Sequence, residues 1–159
     1  MSSELKKPRL PSYRILIVDD EEPIRTLISA LLSKKGHQCF TAFDGVDALY
    51  RYQSNPCDAV ITDIVMPRMD GITLIKELLK KNPKLPVMVV TGHESEYSSV
   101  TAIGAGAREF IKKPFSIEEF SIRFHKMMLD HHLVLGMEVN EKQTGDYVKA
   151  EPLLLRAVA

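Results

Sequence analysis

Tyr13-Arg14-Ile15-Leu16-Ile17-Val18-Asp19-Asp20-Glu21-Glu22-Pro23 is the stretch on which the fold turns. Its first half is nearly continuous in β-branched and aliphatic residues, without polar alternation, as expected of a strand buried on both faces. The run stops at two aspartates. Two glutamates and a proline follow, and these suit the first turn of a helix. Acids there meet the positive end of the helix dipole, and proline sacrifices no hydrogen bond.

The same pattern of strand, polar stop and helix repeats along the chain. Ile24, Leu27, Ile28 and Leu31 stand at helical spacing before the stop Lys34-Lys35-Gly36. Gln38–Ala42 is expected to form a second strand, and Asp44 to cap a helix that runs to about Gln53 and ends at Asn55-Pro56. Asp58–Thr62 gives a third strand, closed by Asp63 and the turn-rich Met66-Pro-Arg-Met-Asp-Gly71. A helix with Ile72, Ile75 and Leu79 on one face ends at Lys80–Pro83. Pro86–Val90 is a fourth apolar strand that stops at Thr91-Gly92. Residues 95–103 make a weak helix, with four Ser/Thr and only Val100 and Ile103 as apolar anchors. Arg108–Ile111 is a short fifth strand running into Lys112-Lys113-Pro114. Ser116 and Glu119 form a capping box for a last helix with Ile117, Phe120, Phe124 and Met127 on its core face. Five strands alternating with five helices predict an α/β fold, a doubly wound parallel sheet with helices on both faces, over residues 13–129.

Composition narrows the class. The chain has 159 residues, 45% hydrophobic, with 21 basic and 21 acidic side chains and no net charge. That suits one domain plus modest ends, and the charge balance argues against a nucleic-acid binder. No apolar run approaches the roughly 20 residues that cross a bilayer, and Met1–Pro8 has no signal-peptide core, so a cytoplasmic location is expected. Cys39 and Cys57 read as small core hydrophobes, and the methionines as packing. His131-His132 reads as a solvated helix end.

Polar residues concentrate at the carboxyl ends of the expected strands: Asp19 and Asp20, then Asp63, Thr91 and Lys113. In open α/β sheets that edge holds the ligand crevice. Clustered carboxylates repel unless a cation compensates, and an all-oxygen donor set favours a hard ion such as Mg2+. A carboxylate can also attack a phosphoryl group, a reaction that needs neutralised charge more than acid–base groups. Mg2+ on one side, the Lys113 ammonium on the other and the Thr91 hydroxyl would provide it. Each piece alone is ordinary, since Asp-Asp pairs cap helices and lysines at strand ends are mostly surface charges. Together they describe a Mg2+-dependent phosphoryl acceptor.

The segments Ile15–Arg25, Thr62–Gly71, Val89–Gly92 and Phe110–Phe115, in this order and spacing, closely resemble the receiver domain of two-component response regulators. The resemblance implies a flavodoxin-like (βα)5 fold with strand order 2-1-3-4-5. It implies Asp63 as phosphoacceptor, and Asp19, Asp20 and Asp63 with the backbone carbonyl of Val65 as the Mg2+ site, Asp20 being the more direct ligand. Thr91 and Lys113 match the residues that bind phosphoryl oxygens, Phe110 matches the aromatic switch position, and Lys113-Pro114 resembles the family's cis peptide. A sensor histidine kinase or histidine phosphotransfer protein would be the donor. The output would be a shift of the face made by helix 4, strand 5 and helix 5 toward a downstream protein, so the expected role is signalling and not enzymatic turnover. Val65 and His93, two positions beyond Asp63 and Thr91, flank the route of the attacking water and are expected to tune the phosphoryl lifetime.

Rival readings rest on what is missing. A Mg2+-dependent phosphatase of similar fold would need Asp-x-Asp after the first strand, where this chain has Asp-Asp-Glu-Glu. A flavodoxin would need a Ser/Thr/Gly-rich phosphate loop there. A phosphorylation-independent pseudo-receiver would not need the complete set of phosphorylation residues. Residues 1–12 read as a flexible basic arm and 130–159 as a tail without a recognisable output domain. That tail either stays disordered, covers the signalling face or mediates a homodimer.

Overall fold

The computed structural model of the chain describes residues 11–92 and 96–134. The expected basic arm, apart from Pro11 and Ser12, falls outside the described residues, as do His93 and the tail from 135 onward. Five strands form one sheet: β1 (Arg14–Val18), β2 (Gln38–Ala42), β3 (Ala59–Thr62), β4 (Val87–Thr91) and β5 (Glu109–Lys112). All pairings are parallel and the order is β2-β1-β3-β4-β5, as expected. The helices are α1 (Glu22–Lys34), α2 (Gly45–Ser54), α3 (Gly71–Lys81), α4 (Glu96–Ala105) and α5 (Ile117–Val134). Among the described residues no helix is long and apolar enough to cross a membrane.

The period of two along each strand divides the core. Leu16, Val18, Val60, Val87 and Val89 pack with Ala48 and Tyr52 of α2, Leu74, Ile75 and Leu78 of α3, and Ala102 of α4. Ile15, Ile17, Ile61, Met88, Val90 and Ile111 point the other way, onto Ile28 and Leu32 of α1 and Phe120, Phe124, Met127 and Met128 of α5. Both sheet faces are therefore covered. This explains why β1, β3 and β4 read as continuous apolar runs.

Local chemistry starts and stops the helices as the sequence suggests. Pro23 lies in the first turn of α1, and the carboxylate of Asp44 accepts the Asp47 N–H at the start of α2. Asp70, not marked in the sequence as a cap, accepts the Thr73 N–H at 2.7 Å to open α3. Ser116 accepts the Glu119 N–H at 3.0 Å to open α5.

Helix faces needed correction. Val100 and Ile103, the expected anchors of α4, are 74% and 51% exposed, and Ala102 is buried in their place. A small residue lets the helix backbone approach the sheet, which bulkier anchors would hold off. Ile117 is 58% exposed because it precedes the turn at which α5 meets the sheet, and Leu27 faces solvent while Leu32 takes the core position on α1. On α3 the buried set is Leu74, Ile75 and Leu78, with Ile72 and Leu79 at its margin. The last helix continues to Val134, so the histidine pair is not a solvated end. The His132 imidazole hydrogen-bonds the Tyr13 hydroxyl, and both histidines are half-buried.

Candidate functional site

Backbone register carries the polar groups to one edge. Asp19 follows β1 directly, and its N–H reaches the Ala42 carbonyl of the neighbouring strand at 3.2 Å. Asp63 follows β3, with its N–H on the Val18 carbonyl at 3.0 Å. These two bonds extend the sheet by one residue on either side of β1, so the aspartates emerge side by side. Lys113 follows β5, its N–H bonded to the Thr91 carbonyl at 2.8 Å, and its peptide bond to Pro114 is cis. Thr91, the last residue of β4, is fully buried.

The side chains then converge. The Lys113 ammonium lies 2.6 Å from Asp19 Oδ2 and 3.0 Å from Asp63 Oδ2, tying three strand ends together. The second oxygen of each carboxylate is held by backbone: Asp19 Oδ1 accepts the Glu21 N–H at 2.9 Å, and Asp63 Oδ1 accepts the Ile64 N–H at 2.7 Å. Asp19 and Asp63 are buried, whereas Asp20 and Glu21 are exposed at the rim. Arg25 reaches back from α1 to the Asp19 carbonyl at 2.7 Å. Burial pushes the Asp19 carboxyl up from its ordinary value, against the opposing hydrogen bond from Lys113. Burial pulls the Lys113 ammonium the other way, but its bonds to Asp19 and Asp63 outweigh this and hold its pKa above the usual lysine value.

Asp20, Glu21, Asp63, Val65, Gly92 and Lys113 line a crevice of about 290 Å3 at this edge. One carboxylate oxygen each of Asp19, Asp20 and Glu21 lies within 4.8 Å of the others, a donor set that could hold a metal ion. None of the described lining residues is His or Cys, and such a set fits a hard divalent ion. Glu21 was not marked as a ligand in the sequence, where it reads as a first-turn acid; its place in the cluster comes from the bend between β1 and α1. Phe110 is half-buried on β5 opposite Val89 and packs against the cluster that includes Ala102. Val65 exposes its side chain at the rim.

A second hollow of about 230 Å3, lined by Leu16, Phe40, Tyr50 and Cys57 among others, shares no residue with the crevice and offers no carboxylate. Burial pushes the Cys57 thiol up to about 11, which leaves it a poor nucleophile. The chemistry lies at the strand ends.

Comparison with known proteins agrees with this geometry. The family model of the response regulator receiver domain matches residues 15–125. The response regulator MprA of Mycobacterium bovis is 36% identical over 117 residues, which make up 74% of this chain and 51% of that protein. The chain thus spans about half the length of the curated relatives it matches. Among solved structures, a response regulator receiver domain protein from Clostridium thermocellum superposes with a TM-score of 0.70 at 31% identity, over 76% of this chain and 98% of that one. NtrX from Brucella abortus gives a TM-score of 0.76 at 35% identity, covering 79% of this chain and 29% of that one. The chemotaxis protein CheY4 of Vibrio cholerae gives 0.69 at 28% identity, covering 74% and 99%.

Proposed function

The chain belongs to the response regulator receiver domain family of two-component signalling, and from that membership we propose that it is a phosphorylation-dependent switch with Asp63 as its phosphoacceptor. The observation that carries this reading is the Lys113 ammonium, bonded at once to Asp19 and Asp63 beside an exposed acidic rim. A buried carboxylate with one oxygen fixed by a backbone N–H and the other beside the Lys113 ammonium is oriented for attack. The surrounding charge can be reassigned when a phosphoryl group arrives.

In the proposed reaction the Asp63 carboxylate forms an O–P bond as the P–N bond of a donor phosphohistidine breaks, and the released imidazole nitrogen keeps the electron pair and takes up a proton. Bound at Asp19, Asp20 and Asp63 with the Val65 carbonyl, Mg2+ would neutralise the transferring group. Lys113 passes from the two carboxylates to a phosphoryl oxygen, and the Thr91 hydroxyl donates to another. The acyl phosphate adds nearly two negative charges and three acceptors in a site built on three strand ends. Pulling Thr91 toward it opens room beside β4 for Phe110, and α4 follows because Ala102 is its one fully buried side chain among the described residues. Val65 and His93 tune the lifetime of the acyl phosphate; exchanging both without any change in that lifetime would remove them from this role.

The donor is a sensor histidine kinase or a histidine phosphotransfer protein in the cytoplasm, and the receiver of the signal is a protein. Uptake and release are self-catalysed steps of a switch and not an enzyme's turnover. The test is incubation with acetyl phosphate and Mg2+ followed by intact mass. The wild type should gain one phosphoryl group and Asp63→Asn none. No uptake at saturating donor would replace this reading with a phosphorylation-independent binding module.

A further inference from the structure

Arg68 stands where its backbone disfavours it. Its φ is 63°, and it is the only described residue other than glycine with a positive φ. It forms the centre of a three-residue turn closed by the Met69 N–H on the Pro67 carbonyl at 2.7 Å. Turns of this hand are rare and strained for a side chain with a Cβ, and glycine or asparagine would fit at lower cost. A residue persists in such a conformation where its surroundings hold it there.

The hold is visible. Arg68 Nε lies 2.5 Å from Asp44 Oδ2 and Nη2 lies 3.0 Å from Oδ1, a two-pronged pair that matches the guanidinium fork to the carboxylate. Asp44 is buried to about 1% exposure and also caps α2 through the Asp47 N–H at 2.9 Å. The guanidinium stacks over Phe43 at 5.3 Å from the ring centroid. Next to it, Met69 occupies the space above Gly45, where a Cβ would meet its side chain at 2.7 Å. The turn after β3 is therefore fastened to the corner between β2 and α2.

That turn belongs to the loop that leaves the acidic site. Asp63 opens it, Val65 lies on the crevice wall, and Ile64 and Gly71 close it through a 2.8 Å bond from the Gly71 N–H to the Ile64 carbonyl. Its base is fixed at Ile64 and Gly71, Met66 beside Val65 is buried in the core, and beyond Met66 the tip is held at Arg68 and Met69. We propose that Arg68 is a positioning residue of the metal site: through Asp44 it fixes the tip of this loop and so keeps Val65 against the crevice for the ion. The inference rests on the Mg2+-dependent reading above and extends it to a residue that touches neither ion nor phosphoryl group.

Two variants separate positioning from plain stability. Arg68→Gly removes the fork but relieves the backbone strain. Arg68→Lys keeps the charge and the strain but loses the second prong. Titrating unphosphorylated protein with MgCl2, followed by NMR or calorimetry, should show the dissociation constant raised about tenfold in Arg68→Gly and less in Arg68→Lys. Without Mg2+ the thermal midpoint of Arg68→Gly should fall, because buried Asp44 loses its cation, and adding Asp44→Asn should recover most of that loss without restoring Mg2+ affinity. Asp44→Asn keeps the helix cap, and adding it to Arg68→Gly should weaken Mg2+ binding no further. Mg2+ affinity within about twofold of wild type in both Arg68 variants would overturn the proposal. Wild-type protein that binds no Mg2+ would instead overturn the reading beneath it, and the proposal with it.

Discussion

Gly71 is packed against the backbone of Asp63 so closely that a Cβ on it would lie 1.9 Å from the Asp63 carbonyl oxygen and 2.9 Å from the carbonyl carbon. Both atoms belong to the main chain at the root of the Asp63 side chain, so no rotamer change relieves the clash. Gly71→Ala must move the Asp63 backbone or the start of α3. It should destabilise the fold by about 1–3 kcal/mol and slow phosphoryl uptake from acetyl phosphate. Gly104, with nothing within 4 Å, is the control. Gly104→Ala on α4 should stabilise by about 0.5–1 kcal/mol. Equal denaturation midpoints for the two variants would contradict the contact.

Lys113 acts as the site's own cation. With a methionine in its place, Asp19 and Asp63 would share a buried edge with no positive partner, a loss of roughly 3 kcal/mol. Mg2+ held by those carboxylates, as proposed above, would restore the missing charge. Thermal melts of Lys113→Met in chelator and then in millimolar Mg2+ should therefore show a larger metal-induced rise than wild type shows. The same rise in both proteins would mean that lysine and ion do not act on the same carboxylates.

The sheet was legible because burial on two faces writes itself as uninterrupted apolar runs, as in Ile15–Val18 and Val87–Val90. The acidic site was legible because strand ends in a parallel sheet share an edge, so Asp19, Asp63 and Lys113 could be brought together without knowing a side-chain angle. What stayed hidden depends on the third dimension. Arg68 and Asp44 are 24 positions apart, and neither carries a mark of the other. Glu21 joins the acidic cluster through the bend before α1. On α4 the hydrophobic pattern marks Val100 and Ile103 as anchors, while proximity to the sheet selects the smaller Ala102.

The reversal on α4 can be measured. Ala102 is fully buried between α4 and the sheet, so Ala102→Leu has no room and should cost about 1–3 kcal/mol. Val100→Ser, at an exposed position, should change stability by no more than about 0.5 kcal/mol. Urea denaturation of the two variants distinguishes this arrangement from the one the hydrophobic pattern suggests, in which Val100→Ser would be the damaging change.

Stability should fall in mild acid because the end of the sheet opposite the acidic site is built on neutral histidines. His37 is buried; its Nδ1 accepts the Tyr13 N–H at 3.2 Å, its Nε2 has no partner among the described residues, and its ring stacks on Tyr13 and meets the edge of Phe124. Burial lowers its pKa from 6.5, and the charge of Lys35 acts in the same direction. His125 is lowered by burial and Lys35, and His131 by burial, Arg108 and His132 against a weaker opposing pull from Asp58. Each imidazole binds its proton more weakly in the folded chain than in the unfolded one, so the unfolded state takes up protons first and stability rises with pH. The contribution is present above the ordinary imidazole value and is lost as the pH falls through the lowered ones. Urea midpoints should begin to drop as the pH falls below about 6.5, the ordinary imidazole value. His37→Asn, whose Oδ1 stands where Nδ1 does and can still accept the Tyr13 N–H, should be less stable at pH 8 yet lose less on acidification. An unchanged slope in that variant would show that the acid sensitivity has another source.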